Sequence, residues 1–190
     1  MKGRRFAMLI DLRRCIGCHA CSVACKAEHE VPLGVWRTWV KIIEKGSYPQ
    51  VSISFLPLLC NNCERPICVT VCPVNATWKR EDGVVVIDPH RCIGCRYCIA
   101  ACPYSMRYLN PLKQVAEKCD WCISRVEKGM NPACVEACPT DALIFGDLSD
   151  KGSKISRLLS LHPVQVIRPE MGTEPHVYYL QLDQQALEAI

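Results

Sequence analysis

The sequence predicts an α+β protein made of two cysteine-rich units nested one inside the other. Three observations carry that reading. Sixteen of the 190 residues are cysteine and fall into four groups of four. Short strand-like runs and hairpin turns lie between the groups. The third group, Cys92-Ile93-Gly94-Cys95-Arg96-Tyr97-Cys98-Ile99-Ala100-Ala101-Cys102-Pro103, reads C-x2-C-x2-C-x3-C-P, the bacterial ferredoxin spacing for a [4Fe-4S] cluster. Three thiolates on a tight loop can reach three irons of one cluster. The fourth, followed by a helix-breaking proline, points away and ligates a different cluster. One such motif therefore implies a partner motif.

Composition narrows the chemistry. At 190 residues and 49% hydrophobic content the chain forms one large domain or two small ones with modest apolar cores, so metal must help to hold it. An even cysteine count in a secreted chain suggests disulfides, but no signal peptide is expected: the apolar run Phe6 to Ile10 after Arg4-Arg5 is too short and Cys15 follows at once. Cysteines two or three residues apart also bridge one another poorly and ligate metal easily. Zinc ribbons use pairs of CxxC knuckles and need neither a third cysteine nor a terminal Cys-Pro. The formal charge is +4; four oxidised clusters with their thiolates add about −8, giving roughly −4. The Lys and Arg are thus read as compensation for cluster charge, not as a nucleic-acid surface. No 18-residue apolar run is present, so no membrane span is expected.

Taken in order, Phe6-Ala7-Met8-Leu9-Ile10-Asp11 reads as a strand entering motif one, Cys15-x2-Cys18-x2-Cys21-x3-Cys25. Lys26 stands where the other motifs have proline, so Ala20 to Glu30 continues as a helix. Lys26 itself is either a solvated charge or a cation that tunes a cluster. Trp36 to Glu44 and Val51 to Phe55 flank Lys45-Gly46-Ser47-Tyr48-Pro49 as a hairpin, whose aromatics cover a core or form a docking surface. Motif two is Cys60-x2-Cys63-x4-Cys68-x3-Cys72-Pro73. A tighter hairpin, Thr77 to Lys79 and Val84 to Ile87 about Glu81-Asp82-Gly83, leads into motif three, as within a two-cluster ferredoxin. Motif four, Cys119-x2-Cys122-x11-Cys134-x3-Cys138-Pro139, must then pair with motif one, which nests one unit inside the other. The expected divisions are 1–34 with 113–150 (outer unit), 35–53 (inserted hairpin), 54–112 (inner unit) and 151–190 (docking tail). Beyond Pro139, Ala142 to Phe145 reads as a strand, followed by a helix from Ser153 to Leu161 and strands from Val164 to Ile167 and Val177 to Leu182, with a loop marked by Pro169, Gly172 and Pro175. His162 and His176 read as surface or packing residues, not ligands.

The four motifs, with Cys102-Pro103-Tyr104, Pro132-Ala133-Cys134-Val135-Glu136-Ala137-Cys138-Pro139-Thr140 and Phe145-Gly146-Asp147-Leu148, resemble one family: the four-cluster iron–sulfur (beta) subunits of DMSO reductase-superfamily molybdopterin oxidoreductases. The polysulfide reductase type is the most similar. The resemblance implies that the first three cysteines of each motif share a cluster with the last of its partner motif. The sets are then Cys15, Cys18, Cys21 and Cys138; Cys25, Cys119, Cys122 and Cys134; Cys60, Cys63, Cys68 and Cys102; Cys72, Cys92, Cys95 and Cys98. No motif-three cysteine is replaced by tryptophan, so four [4Fe-4S] clusters are implied.

The resemblance further implies an electron-transfer subunit, not catalytic by itself, working between a molybdopterin-containing catalytic subunit and an integral-membrane quinone-binding anchor, in anaerobic respiration of a sulfur compound or similar oxyanion. It implies a membrane-associated complex, on the periplasmic side by co-export with the catalytic subunit or on the cytoplasmic side. The sequence carries no nucleophile with its base, no phosphate-binding glycine loop and no flavin or nicotinamide fingerprint. Lys26, Arg96 and Arg107 are candidates for tuning cluster potentials. A diffusible polyferredoxin with no fixed partner is the competing reading, and a structural zinc protein a third.

Overall fold

The computed structural model of the chain describes residues 3–182. Its central strand is β1 (Phe6–Asp11), buried along its whole length. Phe6, Met8 and Ile10 enter the main core while Ala7 and Leu9 enter a second one beneath the C-terminal helix, so a continuous apolar run is what this position demands. β1 pairs antiparallel with β8 (Leu143–Asp147), which follows motif four, and parallel with β9 (Val177–Leu180) near the C-terminus, giving the sheet order β8-β1-β9. Segments far apart in the sequence thus meet in one sheet.

Three two-stranded ribbons connect the motifs. β2 (Thr38–Ser47) and β3 (Gln50–Leu59) pair from Thr38↔Leu59 to Ser47↔Gln50. β4 (Thr77–Lys79) pairs with β5 (Val85–Ile87), and β6 (Arg107–Leu109) with β7 (Ala116–Lys118). Both strands run further toward the turn than the sequence pattern suggests, and β3 runs on to Leu59, whereas β2 begins at Thr38 and not at Trp36. Gly46, at φ +84, keeps the strand going through what reads as a turn, because a side chain there would meet the Gln50 carbonyl. Pro57, which reads as a strand stop, is tolerated opposite Val40 in a ribbon with two free edges. A division at 53/54 therefore falls inside β3, which runs unbroken into Cys60.

Helices are short except two. α1 (Ala20–His29) carries Cys21 and Cys25 on its buried face and ends on Glu30 in the left-handed region. α2 (Ile67–Thr70), α3 (Tyr97–Ala100), α4 (Ile123–Val126) and α5 (Ala133–Glu136) are single turns: α2, α3 and α5 carry the third cysteine of motifs two, three and four, and α4 lies within the motif-four insertion. α6 (Lys154–Leu161) is capped by Ser153, whose side chain accepts from the Ser156 amide. Ile155 of α6 packs so tightly on Gly146 that a Cβ there would lie 2.8 Å from its methyl.

In the tail, the expected strand at Val164 to Ile167 is not formed as such: Gln165 makes an isolated bridge to Tyr179. The part of residues 151–190 that lies beyond 182 is outside the described residues. β9 and the stretch before it pack on the protein's own centre, where the amides of Glu64, Arg65 and His176 donate to the carbonyls of Glu174, Thr173 and Asn61. His176 is fully buried, a packing residue.

Candidate metal centre

The cysteine loops share one local design. The residue before the second cysteine is left-handed in every motif: Gly17 at φ 69, Asn62 at 40, Gly94 at 68 and Trp121 at 56. That conformation reverses the backbone so that the thiols and successive N–H groups face one interior. The Cys-Pro endings form a second repeated turn. Asn75, Ser105 and Asp141, three residues after Cys72, Cys102 and Cys138, are left-handed and donate their amides to the cysteine carbonyls at 3.4, 3.2 and 3.3 Å. One residue later, the Ala76 and Ala142 amides donate to the Sγ of Cys72 and Cys138 at 3.2 and 3.3 Å. Cys25, with Lys26 after it, lacks this turn and stays in α1.

These loops bring distant cysteines together. Cys15, Cys18 and Cys21 of motif one line a small cavity with Cys138 of motif four. Cys60, Cys63 and Cys68 of motif two line another with Cys102 of motif three. Cys25 lies close enough to Cys119, Cys122 and Cys134 for their thiolates to repel. Of Cys72, Cys92, Cys95 and Cys98, the first and last are related through Arg107, whose charge acts on both. Neighbouring sets adjoin: Cys21 is one helical turn from Cys25 on α1, Cys119 faces Cys60, and Arg107 touches Cys68 while reaching Cys98.

The thiols divide by environment. Burial pushes Cys25 and Cys63 up to about 12 each, with Cys122 and Cys60 adding repulsion, and drives Cys119 and Cys134 well above the ordinary range. Burial raises Cys72 too, but amides of Ala76, Thr77 and Val74 outweigh it, and its pKa falls. At Cys138 burial is likewise outweighed, by the Thr140 hydroxyl and surrounding amides. Such donors are what a thiolate bound to iron also requires.

All sixteen cysteines are free thiols. Among the described residues no three His, Cys, Asp or Glu side chains converge on a point that could hold a single metal ion. A tetrahedral zinc site needs sulfurs within about 3.8 Å of one another; four thiols spread round a cavity suit a larger inorganic core. Soft thiolate donors, shared cavities and amide donors aimed at sulfur together fit an iron–sulfur cluster.

Comparison with known proteins agrees. Residues 51–148 match the model of the 4Fe-4S dicluster domain, and residues 6–27 that of a 4Fe-4S binding domain. The sequence is 50% identical over 183 residues to a tetrathionate reductase subunit of Salmonella typhimurium, covering 94% of this chain and 73% of the relative. It is 41% identical over 178 residues to a polysulfide reductase chain of Wolinella succinogenes, covering 92% and 93%. Protein NrfC of Escherichia coli is 42% identical over 181 residues, covering 94% and 81%. The protein belongs to the iron–sulfur subunit family of the molybdopterin oxidoreductases. Among its described residues no helix is long and apolar enough to cross a membrane.

Several residues round the thiols are not evident from the motifs. His29 Nε2 lies 3.1 Å from Cys122 Sγ; the Cys21, Cys25, His29 spacing on one helix face was the available signal. Thr173 bonds the Tyr104 hydroxyl at 2.5 Å and reaches Cys63, and nothing in its sequence neighbourhood points to a thiol. Of the three tuning candidates, Arg96 is exposed. Lys26 has its ammonium on the carbonyls of Val31, Pro32 and Val35 at 3.4, 2.7 and 2.8 Å. Only Arg107 is both buried and in contact with a thiol.

Proposed function

We propose that this subunit relays electrons one at a time through four [4Fe-4S] clusters, between a quinone-binding membrane anchor and a molybdopterin catalytic subunit, in anaerobic respiration of a sulfur compound or similar oxyanion. The observation that carries the reading is crossed convergence: motif-one thiols meet Cys138 of motif four, and motif-two thiols meet Cys102 of motif three. We assign the ligands as four sets: Cys15, Cys18, Cys21 and Cys138; Cys25, Cys119, Cys122 and Cys134; Cys60, Cys63, Cys68 and Cys102; Cys72, Cys92, Cys95 and Cys98. We take the chain accordingly as two nested units, motifs one and four forming the outer one and motifs two and three the inner one. When bound, the clusters supply one-electron donor and acceptor sites. The protein holds them by thiolate, stabilises their charge through amide donors, and keeps water from the buried sets formed around Cys60, Cys119 and Cys134. Exposed Ile42, Tyr48, Val51 and Ile53 on the β2–β3 ribbon support a docked subunit over a diffusible carrier. We place the complex at the membrane, on its extracytoplasmic face.

Two variants test the assignment. Cys15→Ser and Cys138→Ser, far apart in sequence, are expected to remove the same paramagnetic resonance signal from the reduced protein. Loss of different signals refutes the crossed sets. Chemical analysis of the wild-type holoprotein should give about sixteen iron and sixteen acid-labile sulfide per molecule, and copurification with a large molybdopterin protein separates subunit from free carrier.

A further inference from the structure

Arg107 and Lys118 are register partners across the β6–β7 ribbon, and both are buried at 4% exposure. Like charges directly opposite on one face of a strand pair repel, and a buried charge requires a compensating one. Among the described residues no carboxylate forms an ion pair with either. Arg107 Nη2 donates to Cys68 Sγ at 2.9 Å and Thr77 Oγ1 at 3.1 Å, while its Nη1 is buried without a partner. Lys118 Nζ donates to Asn62 Oδ1 at 3.1 Å and to the Cys119 carbonyl at 2.7 Å, both neutral oxygens. Arg37, just before β2, shows the usual solution, with Glu117 and Asp120 at 3.4 and 3.5 Å.

Both cations act instead on a thiol, Cys68 being common to the two. Arg107 lies among Cys60, Cys68 and Cys98, at the junction of the third and fourth sets. Lys118 ties the loop between Cys60 and Cys63, through Asn62, to Cys119, at the junction of the second and third. We infer that Arg107 and Lys118 are the fixed counter-charges of the middle of the relay, raising the reduction potential of the cluster on Cys60, Cys63, Cys68 and Cys102 so that it stays reducible by its neighbours. The inference rests on the relay reading above. Its physical basis is that reduction adds a negative charge inside a poorly polarisable interior, where a cation a few ångströms away favours the reduced form strongly. The orphan Nη1 is a donor left over by the protein's own oxygen and sulfur acceptors, available to inorganic sulfide.

The test is a redox titration of the full-length holoprotein followed by paramagnetic resonance, with the signal of this cluster identified by its loss in Cys63→Ser. Arg107→Met and Lys118→Met should each shift its reduction equilibrium at least tenfold toward the oxidised form, which is 59 mV for a one-electron couple. The signal lost in Cys15→Ser should move less. Arg107→Lys and Lys118→Arg should stay within about threefold of wild type, which a purely packing role would not predict. If the neutral variants lose this cluster and the charge-retaining ones keep it, charge is again the requirement. Unmoved potentials in both neutral variants, equal shifts at the remote cluster, or loss of the cluster in all four variants overturn the inference. A wild-type protein without four cubane signals instead removes the relay reading on which it rests.

Discussion

Gly94 lies at φ +68, and a Cβ built on it stands 2.5 Å from the Gln114 carbonyl oxygen, an approach no side chain can make. Gly94→Ala therefore combines left-handed strain of about 1–2 kcal/mol with displacement of the segment that follows β6. We expect a fall in unfolding temperature and faster loss of the resonance signal tied to Cys92 and Cys95 under a chelator. Gly129, at φ +79 with nothing within 4 Å, is the control: Gly129→Ala should show the strain alone and leave every cluster signal unchanged. At this scale the sequence is partly legible. Gly17 and Gly94 announce the turn in motifs one and three. Asn62 and Trp121 hold the same turn without glycine, the first because its side-chain oxygen accepts from the Val85 amide at 3.0 Å and from Lys118, the second because it is wholly buried against Phe145. Such tertiary anchors leave no local signal.

Lys26 connects the residue to its element. Its ammonium gathers three carbonyls from residues 31–35 and sits 4.1 Å from the Trp36 ring centre, pinning the link from α1 to β2. Lys26→Met removes those hydrogen bonds and the cation–π contact, at an order-of-magnitude cost of about 2 kcal/mol. It is expected to lower the unfolding midpoint while leaving cluster potentials within error, so a shifted potential without destabilisation would restore the tuning role. The apolar run of β1, the first two ribbons and β8 were legible within a few residues. The β6–β7 ribbon was not, because its strands carry Arg107 and Lys118 inward, which reads as solvated surface until the thiols nearby are known. The short helices were hidden for a related reason, each being one turn imposed by a cysteine loop.

At the scale of the whole molecule, Cys18 and Cys95 are the two exposed cysteines of the sixteen, and they belong to the first and last of the four proposed sets. Ile16 beside the one, at 57% exposure, and Ile93 and Tyr97 beside the other, at 64% and 62%, leave apolar surface at both ends. Cys60, Cys119 and Cys134, which belong to the other two proposed sets, are buried. The motif spacings made the cysteine grouping legible, while which end meets which partner depends on exposure that no spacing encodes. If the set on Cys72, Cys92, Cys95 and Cys98 faces the membrane anchor, Cys95→Ser should abolish quinol-driven reduction of the terminal substrate. Activity with an artificial donor feeding the catalytic subunit directly should stay near wild type, because the set nearest that subunit is untouched. The assembled complex carries both measurements, so loss of the partner is scored separately by its copurification. Equal loss of the two activities in a variant that still assembles would place the terminal set at the opposite end, with Cys18 toward the membrane.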